Sequence, residues 1–194
     1  MSGAPAVFVD RDGTLIRELE HPPRLASDVD FVPGGPEALS KLARAGFRLV
    51  MVTNQSAFAR GWLRFEEYVE VQRAIDAELA RAGARLDAVY FCPHHPSAGA
   101  APYRRACTCR KPGSGLLELA QRELGLDLAR SWMVGDALRD LEAGARVGVR
   151  GILVATGKGA REAAKLSDAQ RARTTLCADL AHAAGHVLAG AGKS

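Results

Sequence analysis

The sequence predicts an α/β fold: a three-layer sandwich in which helices cover both faces of a mostly parallel sheet. Three observations predict it. Apolar runs of about four to six residues recur without strict alternation, the pattern of strands covered on both faces. Longer amphipathic stretches separate them at the spacing of right-handed crossovers. Several runs end on polar residues, where open α/β sheets place their ligand crevice.

The first strand is read at 6–9, ending directly on Asp10. Residues 48–52 form the second and end at Thr53, and 88–91 form the third and end at Cys92. A fourth, 132–134, runs into Gly135-Asp136; 151–155 is the fifth, and 174–177 a weaker sixth. A helix over 35–45 carries Leu39 and Leu42 on one face and stops at Gly46. A second spans 65–82 with Val69, Ile75 and Leu79, and further helices are expected at 115–124 and 140–147. Residues 17–35, with Pro22, Pro23 and Pro33, read as a flap beside the first strand. Residues 93–111, with three prolines, read as a loop that needs something other than a core to hold it. Residues 160–194 are expected to finish the fold with a strand and a helix, Cys177 being a buried apolar residue.

With 194 residues, 47% of them hydrophobic, the chain has material for one domain, so 1–194 is read as a single unit. Disorder and a disulfide-stapled miniprotein are excluded by that composition. No apolar run approaches the ~20 residues of a membrane span, and the start shows no signal-peptide pattern, so a cytoplasmic protein without a membrane partner is expected. Its 26 basic residues exceed the 22 acidic ones by four. Arg outnumbers Lys 21 to 5 without forming a basic stripe, so a small anionic substrate is favoured and no nucleic-acid partner is expected.

The strand-end residues carry the chemistry. Asp10 and Asp12, at i and i+2 leaving a strand, can point to one side, and Gly13 allows a sharp turn after them. Such a pair can hold a divalent cation, or divide the work of nucleophile and general acid. Thr53 and Asn54 supply a hydroxyl and an amide, Lys111 a fixed cation, and Asp136 and Asp140 further carboxylates. Cys92 and His94, followed by Cys107 and Cys109, have the donor set of a Cys₃His tetrahedral zinc site, with His95 as the other available imidazole.

In this order, Asp10-x-Asp12-Gly13-Thr14, Thr53, Lys111 and Gly135-Asp136-x-x-x-Asp140 resemble the four motifs of the haloacid-dehalogenase-like phosphatases, over residues 6 to about 157. The resemblance implies that family's Rossmannoid fold and an aspartyl-phosphate mechanism. Asp10 would be the nucleophile and Asp12 the general acid/base. Mg²⁺ would be held by Asp10, Asp136 and the backbone carbonyl of Asp12. Thr53 and Lys111 would bind the transferring phosphoryl group, with Asp140 as support. The intervals of 40 residues between Asp12 and Thr53 and 57 between Thr53 and Lys111 leave no room for a large cap domain, so the flap and the zinc loop (about 92–109) become the specificity elements.

Two capless, zinc-loop branches are known in the family. One removes the 7-phosphate of D-glycero-D-manno-heptose 1,7-bisphosphate for nucleotide-activated heptose synthesis; the other acts on histidinol phosphate. Asn54-Gln55-Ser56, Ala59-Arg60-Gly61 and Cys107-x-Cys109-Arg110-Lys111-Pro112 are similar to the heptose branch. That likeness implies a small phosphorylated sugar as substrate, bound by Asn54, Gln55, Ser56 and Arg110; separately, a monomer is expected. Ala57 and Ala137 depart from the branch's pattern. The rival readings are a histidinol-phosphate or other sugar-phosphate phosphatase and, more remotely, a zinc-loop binding protein without activity.

Overall fold

Val7, Phe8 and Val9 have no measurable exposure, so the strand Ala6–Val9 (β1) is covered on both faces and lies at the middle of a sheet. Around it the computed structural model, which describes residues 3–172 and 174–191, arranges Arg48–Asn54 (β2), Ala88–Cys92 (β3), Trp132–Gly135 (β4), Arg150–Val154 (β5) and Thr175–Cys177 (β6). The order is β3-β2-β1-β4-β5-β6, and all five pairings are parallel.

Helices Gly35–Arg44 (α1), Phe65–Arg81 (α2) and Leu180–Ala191 (α7) cover one face. Leu39, Leu42, Val71, Ile75, Leu79, Leu180 and Val187 pack there against Val7, Val9, Leu49 and Met51. Gly115–Leu124 (α3) and Leu138–Ala145 (α4) cover the other face, where Leu116, Leu117 and Ala143 meet Phe8, Val50, Val52 and Met133. Alternate residues of one strand thus feed two separate cores, as the period of two requires.

Several boundaries differ from the sequence reading. Helix α4 starts at Leu138 instead of residue 140, because the Asp140 carboxylate turns back to accept the Ala137 N–H (3.1 Å) and caps the helix from its third position. The flap contains one 3₁₀ turn, Ala26–Asp28. The stretch before β6 holds two short helices, Gly159–Ala163 (α5) and Asp168–Arg171 (α6), where only a strand and a terminal helix were expected. Cys177 is partly exposed on the edge strand, packed against the core margin and not buried in it. No helix among the described residues is long and apolar enough to cross a membrane.

Successive strands move outward from β1 to β3; the chain then returns to the other side of β1 to lay down β4. That reversal opens a crevice beyond the carboxyl ends of β1 and β4.

Candidate active site

Asp10 and Asp136 are the first residues past the ends of neighbouring strands β1 and β4, so they meet in that crevice. The Asp10 N–H donates to the Val134 carbonyl (3.0 Å), carrying the ladder past the strand. Asp136 fits only because two glycines press on it. Gly13 (φ 81°) and Gly157 (φ 57°) would each bring a Cβ to 2.2 and 2.3 Å from Asp136 Oδ2. That oxygen accepts the Lys158 N–H (2.8 Å).

Asp10, Asp136 and Asp140 each place a carboxylate oxygen within 4.8 Å of the others. Burial pushes the Asp136 carboxyl up to about 7, and the Asp10 and Asp140 charges act in the same direction. Asp136 Oδ1 is buried with no hydrogen-bond donor. A buried, unpartnered carboxylate oxygen beside two other carboxylates is what a hard cation needs, so these residues fit Mg²⁺.

Lys111 is the counter-charge. Its side chain is wholly buried, with Nζ at 2.8 Å from Asp140 Oδ1, 2.9 Å from Asp10 Oδ1 and donating to the Val52 carbonyl at 2.7 Å. Three partners engage all three N–H bonds of an ammonium. Burial alone would lower its pKa; the Asp10 and Asp140 carboxylates outweigh it and hold the value above that of an ordinary lysine. Asn54, at the end of β2, fixes the Lys111 backbone, donating from Nδ2 to its carbonyl and accepting its N–H at Oδ1, both at 3.0 Å.

Thr53 Oγ1 accepts from Gln55 Nε2 (2.9 Å), and the same nitrogen donates to Asp12 Oδ2 (2.8 Å). Ser56 and Asp12 line an open cleft of about 170 Å³ whose opposite wall is flap residues 18–23, with Trp62 also in its lining. The Arg110 guanidinium lies on the zinc-loop side, donating to the His94 carbonyl (3.2 Å). Sequence reasoning missed Arg11. It is 1% exposed and forks onto Asp12, and the signal was an arginine held between two site carboxylates.

The loop after β3 gathers its four donors. Cys92 Sγ is 3.6 Å from Cys107 Sγ, 3.3 Å from Cys109 Sγ and 3.6 Å from His94 Nδ1, which is itself 3.3 Å from Cys109 Sγ. His95 is outside the cluster, its Nδ1 accepting the N–H groups of Ser97 and Ala98. Burial raises the Cys92 and Cys109 thiols, while at Cys107 burial is outweighed by hydrogen bonds from Cys109 and the Arg110 N–H and the thiol is lowered; all three sulfurs would be thiolates together only around a cation. The donor set fits tetrahedral zinc.

This fold and this carboxylate cluster define the class of haloacid-dehalogenase-like phosphatases. The family model described as HAD-hydrolase-like matches residues 108–183. The chain is 43% identical over 164 residues to the D-glycero-beta-D-manno-heptose-1,7-bisphosphate 7-phosphatase of Photorhabdus laumondii, covering 80% of this chain and 83% of that one. It is 40% identical over 162 residues to the Escherichia coli K12 protein of the same name, covering 79% and 81%. Among solved structures, the D,D-heptose 1,7-bisphosphate phosphatase of B. bronchiseptica, complexed with magnesium and phosphate, superposes with a TM-score of 0.84 at 32% identity, covering 96% of this chain and 99% of that one. The Burkholderia thailandensis phosphatase of that name gives 0.70 at 30% identity, covering 95% and 98%. The chain belongs to the heptose bisphosphate phosphatase family of the haloacid-dehalogenase-like hydrolases, and it is an enzyme, a phosphatase.

Proposed function

We propose that this chain hydrolyses the 7-phosphate of D-glycero-D-manno-heptose 1,7-bisphosphate, acting over residues 1–194 as one cytoplasmic, monomeric domain on a small phosphorylated sugar. The observation that carries the reading is the trio of carboxylates Asp10, Asp136 and Asp140 at the switch point, with the buried Lys111 ammonium paired to Asp10 and Asp140. Such a site suits a phosphoryl group and its counter-charges.

Asp10 attacks phosphorus as the bond to the sugar oxygen breaks, and the departing oxygen takes its proton from Asp12. The Asp12 carboxylate then takes a proton from water, whose oxygen attacks the aspartyl-phosphate, freeing Asp10 and inorganic phosphate. Lys111 compensates the Asp10 charge in the resting site. As that charge is consumed in the new P–O bond, the ammonium exchanges its Asp10 contact for a phosphoryl oxygen. Thr53 offers its hydroxyl on the adjoining side. Asp10 and Asp136, with the Asp12 carbonyl, would hold Mg²⁺, which would supply positive charge to offset that of the carboxylates and the phosphate. Ser56 and Arg110 would bind the sugar and its second phosphate, for which a guanidinium fork is suited.

Phosphate release should be measured on both anomers of the bisphosphate and on histidinol phosphate, the β anomer first because the named relatives act on it. The highest kcat/KM is expected on a heptose bisphosphate; a preference for histidinol phosphate would replace the substrate assignment. Asp10→Asn should abolish turnover, and retained turnover would remove Asp10 as nucleophile.

A further inference from the structure

Arg11 lies between the two aspartates of the first motif and is the largest of the fully buried side chains. A permanent cation is tolerated in such a place only when its donors are satisfied. Arg11 Nε donates to Asp12 Oδ1 and Nη2 to Asp12 Oδ2, both at 3.0 Å, forming a planar fork. Nη2 also donates to Gln55 Oε1 (3.0 Å), and the guanidinium carbon is 5.8 Å from the Tyr68 ring centre.

Gln55 closes the ring. It is 3% exposed, and its amide is oriented by opposite demands at its two ends: Oε1 accepts from Arg11, while Nε2 donates to Asp12 Oδ2 and Thr53 Oγ1. Turning the amide over would set its oxygen against the Asp12 carboxylate and its N–H groups against the Arg11 donor. Asp12 is therefore clamped by three donor contacts from two buried residues, yet its side chain keeps 29% exposure toward the cleft.

We infer that Arg11 and Gln55 are positioning residues that fix the plane of the Asp12 carboxyl group and tie it to Thr53, so that its free edge is presented to the leaving oxygen. Gln55 thus serves the reaction through Asp12. The inference rests on the reading of Asp12 as general acid/base. It deepens that reading by naming what aims the acid.

The test uses two substrates that differ in their need for an acid. An alkyl phosphate, the heptose bisphosphate or glycerol 3-phosphate, needs its departing oxygen protonated. p-Nitrophenyl phosphate releases a stabilised anion without that help, so the rate of its p-nitrophenolate burst reports attack by Asp10 alone. Asp12→Asn is the control: alkyl turnover should fall about 10²–10⁴-fold while the burst survives. If both fall together in that variant, the assignment of Asp12 fails.

Arg11→Lys keeps the charge but cannot fork, and Gln55→Leu keeps the shape but loses both donors. In each, alkyl kcat should drop at least about tenfold with KM within about twofold, and the burst rate should stay within about threefold of the parent. An equal loss on both substrates, or a rise in KM alone, would overturn the positioning role while leaving Asp12 as the acid. If Arg11→Lys does not fold, Gln55→Leu decides the matter by the same comparison.

Discussion

Lys111 and Asp136 show how a single buried charge is made useful. Removing the Lys111 ammonium would leave Asp10 and Asp140 facing each other without a cation, a loss on the order of 3–5 kcal/mol. Asp136 is the opposite case, a carboxyl whose burial raises its pKa to about 7. Between the ordinary carboxylate value and about pH 7 the folded chain holds a proton there that the unfolded chain has released. The metal-free fold therefore loses this contribution to stability as pH rises through that window. A divalent cation at Asp136 must displace the same proton. Mg²⁺ affinity should strengthen as pH rises and level off above about 7. Calorimetry in buffers of different ionisation enthalpy should show release of about one proton near pH 6 and none near pH 8; pH-independent binding would contradict the assignment.

At the scale of elements, the zinc loop and the end of β2 together place one lysine. Cys109 stands two residues before Lys111, and Asn54 clasps the Lys111 backbone from the other side. The arm between the ligands, around residues 98–106, is largely exposed and has little core of its own. Stripping zinc with a chelator, or Cys107→Ser, should open that arm to limited proteolysis and displace Lys111. A shift of about 1 Å at a reacting group can cost about 10²-fold in rate, so phosphate release should fall on that order while the far-UV circular dichroism of the sheet and helices persists. Full activity in the zinc-free protein would separate the loop from catalysis. Strand ends were legible at this scale because a run buried on both faces stops abruptly where chemistry begins. The start of α4 was not, since it depends on the Asp140 carboxylate reaching back to the Ala137 N–H. Helices α5 and α6, of five and four residues, are too short for their periodicity to register.

For the molecule as a whole, the site joins residues 10–12, 53–56, 110–111 and 136–140, which stand on separate strands and loops of one sheet. A ligand that bridges them binds the folded chain and not the unfolded one. Magnesium with a phosphate mimic at about 100 times its Kd should add about 2.7 kcal/mol, a rise in Tm of roughly 5–10 °C for a chain of this size. Differential scanning fluorimetry with and without Mg²⁺ checks this, and an unchanged Tm would argue against an anion site spanning those elements. The sheet order that gathers these residues follows from the reversal after β3, which brings β4 beside β1.

The sequence by itself determined the α/β class and the strand ends, which depend on local periodicity; spacing and family resemblance pointed to the four motif positions and the three zinc-loop cysteines. Only the tertiary structure decided how the polar side chains are used. His94 and not His95 joins the three cysteines. Asn54 and Gln55, read from the chain as substrate contacts, have their amides engaged with Lys111, Arg11, Asp12 and Thr53. Arg11 entered the site from a position that carried no motif of its own. Hydrogen-bond partners far apart in sequence are chosen by the packing of strands β1 and β2 side by side, and nothing in the spacing of residues along the chain encodes which donor meets which acceptor.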